Sequence, residues 1–243
     1  MKIKVLASGS KGNVTFIEYE NTRILIDIGM TCNYVEERLR DMDVSPKSID
    51  AILITHTHTD HIMGLKTFNK KHDTPVYISS KMAQVISTNN NVFLTKEMTI
   101  KDINVKVIRT SHDVESYGYI INDEVVYITD TGYINEQYFD MLKNKKVYIM
   151  ESNHDIETLM DGPYPYNLKR RILSTKGHLS NEDSSKYLLK FIGKDTQYVI
   201  LAHLSEINNV EAKALKEFED RNKKIKNVII AKQKEPTELI EIW

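Results

Sequence analysis

The chain has 243 residues, with 33 Lys and Arg against 34 Asp and Glu; a net charge of −1 builds in no global pull toward nucleic acid, anionic membrane or acidic substrate. Eight histidines and a single cysteine, Cys32, exclude an internal disulfide framework and point to a reducing compartment. No apolar run approaches the roughly 18 residues of a membrane span, and Met1-Lys2-Ile3-Lys4 leads into a strand pattern rather than a signal peptide, so a cytoplasmic globular protein with no membrane partner is expected.

In chain order, Ile3–Ala7, Val14–Tyr19 and Arg23–Ile28 are β-branched or aromatic runs separated by Ser8–Asn13 and by Glu20-Asn21-Thr22, a meander of strands. Asn33–Met42 carries an apolar stripe through Val35, Leu39 and Met42, the mark of an amphipathic helix. Ala51–Thr55 is a continuous apolar strand, buried on both faces. A helix at Met63–Lys71, a strand at Val76–Ser79, a helix at Lys81–Ser87 and a strand at Val92–Leu94 follow. Val105–Thr110, Tyr117–Ile121 and Val125–Thr129 read as strands, the last two joined by a hairpin turn at Asn122-Asp123-Glu124. Helical periodicity over Asn135–Lys143, Ser180–Phe191 and Val210–Asn222 alternates with short strands at Val147–Met150, Tyr198–Leu201 and Val228–Ala231. No linker or solenoid repeat divides the chain. One domain over residues 1–243 is expected: an α/β protein built as an αββα sandwich, two mixed sheets flanked by helices.

The segment with chemistry in it is His56-Thr57-His58-Thr59-Asp60-His61, directly after a buried strand. Three imidazoles and a carboxylate within six residues are costly to bury unless paired, and their donors suit Zn²⁺, Mn²⁺ or Fe²⁺. Alternation along extended chain lets His56 and His58 share one ion while Asp60 and His61 face another. Further donors stand where other strands stop: His112, Asp130 and His203. Asp130 is suited to bridge two ions, and a water held between ions about 3.5–4 Å apart ionises near neutral pH and becomes a nucleophile. Hydrolysis with two divalent ions, Zn²⁺ or Mn²⁺ with Fe²⁺ also accepted, is the expected chemistry.

This series, His56-x-His58-x-Asp60-His61 followed by His112, Asp130 and His203, resembles the metal-binding signature of the metallo-β-lactamase fold superfamily. Asp27 in Leu25-Ile26-Asp27-Ile28-Gly29 resembles the superfamily's aspartate that supports the metal loop; the plainer reading is an ordinary strand-end aspartate. The superfamily spans many substrates, so its fold names none. More locally, Ala7–Asn13, Glu151-Ser152-Asn153-His154-Asp155, Tyr164–Leu173 and Gly177–Glu182 are similar to the bacterial WalJ/YycJ group, with Ser152 standing where alanine is expected. That resemblance implies a metal-dependent nuclease acting on DNA ends, 5′ to 3′ on duplex substrate. By likeness to ribonuclease Z, it also implies His178 as the general acid protonating the leaving oxygen, oriented by Glu151, with Asn153 or His154 as alternatives. Asp60 both ligates and orients the nucleophile.

Lys169, Arg170, Arg171 and Lys176 precede His178 within ten residues, so a neutral chain concentrates positive charge suited to phosphate contacts. The other reading is a solvated helix face. The Ser8–Asn13 loop is either a tight glycine hairpin or a phosphate contact through Ser8, Ser10 and Asn13, and Asn153 joins these as a candidate for substrate binding, with Arg170 and Arg171. Two other functions use the same ligands: a hydrolase of a small ester, thioester or lactone, or an RNase. A metal-bound scaffold that holds a partner is the non-enzymatic reading.

Overall fold

The computed structural model describes all 243 residues. In chain order it contains β1 (Lys2–Ala7), β2 (Val14–Tyr19), β3 (Thr22–Ile26), α1 (Cys32–Arg40), β4 (Ala51–Leu53), α2 (Thr59–Ile62), α3 (Leu65–His72), β5 (Val76–Ile78), β6 (Asn91–Phe93), β7 (Glu97–Ile100) and β8 (Ile103–Thr110). It continues through β9 (Ser116–Ile121), β10 (Val125–Ile128), α4 (Phe139–Leu142), β11 (Val147–Glu151), α5 (Ile156–Asp161), α6 (Tyr166–Ile172), α7 (Asn181–Phe191), β12 (Tyr198–Ala202), α8 (Glu211–Arg221), β13 (Asn227–Ile230) and β14 (Ile240–Glu241). The strands form two mixed sheets, flanked by helices. Two compact units are distinguished, Met1–Val107 with Lys232–Trp243, and Ile108–Ala231.

In the first unit the sheet order is β14-β1-β2-β3-β4-β5-β6. β1, β2 and β3 pair antiparallel, as the meander requires, and β3, β4, β5 and β6 are parallel. Parallel neighbours bury both faces of a strand, so Ala51-Ile52-Leu53 can be wholly apolar. Helix α1 begins at Thr31, whose hydroxyl accepts from the Tyr34 N–H, and buries Val35 and Leu39.

In the second unit β9 and β10 form the expected hairpin, with Asn122 and Asp123 at φ 49° and 58°, the left-handed pair of a type I′ turn. β10, β11, β12 and β13 are parallel, and every residue of β10 and β11 is buried. Leu142 of α4, Leu188 and Phe191 of α7, and Ala214 and Phe218 of α8 pack on Ile120, Val126, Tyr148, Met150 and Leu201. Each large apolar side chain so buried contributes about 1.5–3 kcal/mol.

Three expectations change. Lys81–Ser87 forms only one 3₁₀ turn at Met82–Gln84, with Met82 and Ile86 buried and Val85 exposed. Asn135–Lys143 splits into a 3₁₀ turn at Glu136–Tyr138 and the short α4. Five elements are additional: α2, β7, α5, α6 and β14.

Candidate metal and catalytic site

In the first unit, Asp27 directly follows β3, and its backbone takes φ 61°. A left-handed conformation is costly for a residue with a Cβ and mildest for Asp and Asn. The fully buried carboxylate accepts from the Thr55 N–H at 2.8 Å, the Thr55 hydroxyl at 2.8 Å and His61 Nδ1 at 2.7 Å. Burial pushes the Asp27 carboxyl up, against the opposing pull of His61 and Thr55. Because Nδ1–H of His61 donates to Asp27, Nε2 is the acceptor nitrogen of that ring; the same logic applies to His56, whose Nδ1 lies 3.1 Å from the Thr55 hydroxyl. His56 Nε2 faces His58 Nδ1 at 3.1 Å, and His61 Nε2 is 3.5 Å from Asp60 Oδ2. Backbone bonds hold this loop: Asn13 N–H to Asp60 O at 2.8 Å, Ile28 N–H to His61 O at 2.9 Å, and Gly64 N–H to Ile28 O at 2.9 Å. Gly29 lies so close that a Cβ there would be 1.6 Å from the Asp60 carbonyl oxygen.

In the second unit Asp130 and His203 follow β10 and β12, again in left-handed backbone at φ 50° and 56°. Strained backbone that the surrounding structure over-determines is typical of functional sites. Asp130 Oδ1 lies 3.6 Å from His203 Nε2, 3.8 Å from His178 Nδ1 and 3.9 Å from His112 Nε2. Glu151, fully buried at the end of β11, organises the group. Its Oε1 accepts from His178 Nδ1 at 2.7 Å and His203 Nδ1 at 2.9 Å, and its Oε2 from the N–H groups of Thr131 at 3.0 Å and Leu179 at 3.1 Å. Burial raises the Glu151 carboxyl, but the adjacent His178 and these bonds outweigh it and hold the carboxyl below its usual range. Burial lowers His178 in turn, and the Glu151 charge more than reverses that, favouring imidazolium. His112, by contrast, is lowered by burial, and its Nδ1 points to Gly177 O at 3.2 Å.

The donor set fits divalent ions. His61, His203 and His112 each turn Nδ1 to a carboxylate or carbonyl oxygen, which sets Nε2 as the lone-pair nitrogen, the outer-sphere arrangement that orients imidazole ligands. Each unit sets carboxylate oxygens of Asp60 or Asp130 beside those nitrogens, the mixed nitrogen and oxygen chemistry of Zn²⁺, Mn²⁺ and Fe²⁺.

The profile of the metallo-beta-lactamase superfamily matches residues 7–203. The chain belongs to that superfamily. This superfamily member is 35% identical over 225 residues to the exodeoxyribonuclease WalJ of Streptococcus pneumoniae, covering 86% of this chain and 84% of that one. It is 34% identical over 224 residues to the exodeoxyribonuclease YycJ of Bacillus anthracis, covering 87% and 85%. Its fold is shared with the metallo-beta-lactamase fold protein YhfI of Bacillus subtilis, at a TM-score of 0.74 and 16% identity over 98% of this chain and 99% of that one.

Among the remaining site candidates of this superfamily member, Glu151 is the one bonded to His178. Asn153 instead donates to the His203 carbonyl at 3.0 Å, and the His154 ring is buried with neither nitrogen hydrogen-bonded. Ser180 caps α7, its hydroxyl accepting from the Asp183 N–H at 3.0 Å, which pins the chain just beyond His178. Asn13 and Ser8 are buried, and the Asn13 amide is engaged by Gly9, Asp60 and His61, so it braces the loop that carries them; Ser10 is exposed. Arg170 and Arg171 are exposed on α6, and Arg171 pairs with Asp113, next to His112. Thr55 and Asn209 escaped sequence reasoning. Asn209 donates to the carbonyls of Ser152 and Asn153, a bond between loops that no local pattern announces.

Proposed function

We propose that the protein is a dinuclear metal-dependent exodeoxyribonuclease that degrades duplex DNA ends in the 5′-to-3′ direction. His56, His58, Asp60, His61, His112, Asp130 and His203 would hold its ions, Asp130 serving both, and residues 1–243 act as one metallo-β-lactamase-like domain; the order of these seven residues and the span of the superfamily match support this. When bound, the two Zn²⁺ or Mn²⁺ ions supply Lewis acidity and lower the pKa of water. Asp60 orients the attacking water, and His178 donates a proton to the departing 3′ oxygen. Glu151 keeps His178 charged and aims it, while fixing the His203 tautomer.

The single observation that carries the hydrolytic reading is this shared carboxylate, which couples a ligand-type imidazole to one poised as an acid. The names of relatives 34–35% identical over most of their length favour DNA as substrate. Ser10, Arg170 and Arg171 contact phosphates, and Ser8, Asn13 and Asn153 shape the loops beneath. The buried free thiol of Cys32 favours a cytoplasmic setting, and no helix is long and apolar enough to cross a membrane.

The test is product analysis on duplexes labelled at either end, with a fluorogenic ester alongside. Mononucleotides released progressively from the 5′ end support the proposal. Random internal cuts, or ester hydrolysis with DNA untouched, overturn it.

A further inference from the structure

Helix α6 and the turn that follows it are fastened to the residues just described at three points. The His178 N–H donates to Ile172 O at 2.9 Å, the Ser111 hydroxyl donates to Thr175 O at 2.7 Å, and Arg171 pairs with Asp113 beside His112. Only Ile172 of the helix is buried. The opposite side carries Tyr166, Arg170 and Leu173 at i, i+4 and i+7, one exposed face.

Tyr166 is 66% exposed, an unusual setting for an aromatic side chain with no packing role. The Arg170 guanidinium stands 6.0 Å from its ring centroid, a cation–π distance that holds ring and charge together. Lys169 is occupied by the Met160 carbonyl at 2.5 Å and Arg171 by Asp113, whereas Arg170 and Lys176 have no acidic partner. An unneutralised cation, Arg170, stands beside a solvent-facing ring on the helix that leads into His178, with Lys176 further along the same segment. Phosphates answer the charge, and the face of a nucleobase answers the ring.

We propose that Tyr166 is a stacking platform for a nucleobase, with Arg170 gripping the adjoining phosphate, so that α6 holds a nucleotide of the strand being degraded. This rests on the nuclease reading and adds to it a base-binding subsite indifferent to sequence, since every base offers a π-face. The platform needs a base with one face free of a stacked neighbour, which a single strand or a duplex end supplies.

The experiment measures steady-state digestion of single-stranded oligonucleotides, each carrying one abasic residue moved stepwise from the 5′ end. The wild-type protein is expected to show a KM raised about tenfold at one position only. Tyr166→Ala is expected to raise KM for the intact oligonucleotide by about the same factor, mainly without a fall in kcat, and to flatten the positional dependence; Tyr166→Trp restores both. A Tyr166→Ala protein with wild-type melting, wild-type KM and the same abasic profile overturns the platform alone. A wild-type protein that digests the end-labelled duplex but none of these oligonucleotides overturns the platform alone, and one that digests neither overturns the nuclease reading and the platform with it.

Discussion

Replacing Glu151 by glutamine changes one oxygen to an amide and nothing in shape. The carboxylate receives four donors, two imidazole N–H groups at Oε1 and two backbone N–H groups at Oε2. An amide has one oxygen, so its NH₂ must confront one of these pairs. If it faces the backbone pair, two buried donors lose their acceptor, each at about 1–3 kcal/mol. If it faces the imidazoles, His178 and His203 must switch tautomer and protonate Nε2, which removes the His203 lone pair and the imidazolium of His178. Losing two charge-assisted bonds, worth roughly 1.5–3 kcal/mol apiece, puts the total cost at about 3–6 kcal/mol. The expected result for Glu151→Gln is a loss of roughly 10²–10⁴-fold in kcat on an end-labelled duplex, the range for disabling a positioned acid. Bound metal, measured on the same sample, should fall or exchange faster. A Glu151→Gln protein within about threefold of wild type in kcat, with full metal content, would refute the shared-carboxylate argument.

Asp27→Asn should weaken metal binding by about 10–100-fold through misorienting His61, measured by competition with a chelator of known affinity; unchanged affinity counts against Asp27 as its orienting partner. Gly29→Ala forces the Asp60 backbone to move, and a drop in melting temperature together with loss of metal is expected; an unaltered melt would mean the loop yields freely. His154, buried with neither ring nitrogen hydrogen-bonded, is held neutral by burial, its pKa pushed down to about 4 from 6.5. With the native pKa below the unfolded one, its contribution is fully present above about pH 6.5 and is lost as pH falls toward 4, at most about 3 kcal/mol. Unfolding curves at pH 7 and pH 4.5 should therefore differ less for His154→Leu than for wild type, and an equal acid loss in both would exclude this residue as its source.

The sequence made the strands and the residues at their ends visible, because buried parallel strands leave continuous apolar runs and polar groups stand out where those runs stop. It did not reveal that Asp27, Asp130 and His203 all turn into left-handed backbone there, which is decided by the loops packed around them. Glu151 was legible as a partner of His178 through resemblance alone. Its second bond, to His203, follows from the parallel register that sets Glu151 opposite Ala202, and register is a tertiary property. The helices α5 and α6 have one buried residue each, Leu159 and Ile172, too few to print a stripe, so the helix carrying Tyr166 and the arginines read only as a charge run. Similarly, the Ser8–Asn13 loop showed its glycines but not that Asn13 turns inward onto Asp60 and His61.

The central claim is that two ions held by these histidines and aspartates drive DNA-end hydrolysis. The direct measurement is digestion of an end-labelled duplex by protein stripped with EDTA, then titrated with Mn²⁺ or Zn²⁺ while bound metal per chain is counted. Activity abolished by stripping and regained in step with occupancy, saturating at about two ions per chain, is the predicted result. Undiminished digestion by verified metal-free protein would contradict it.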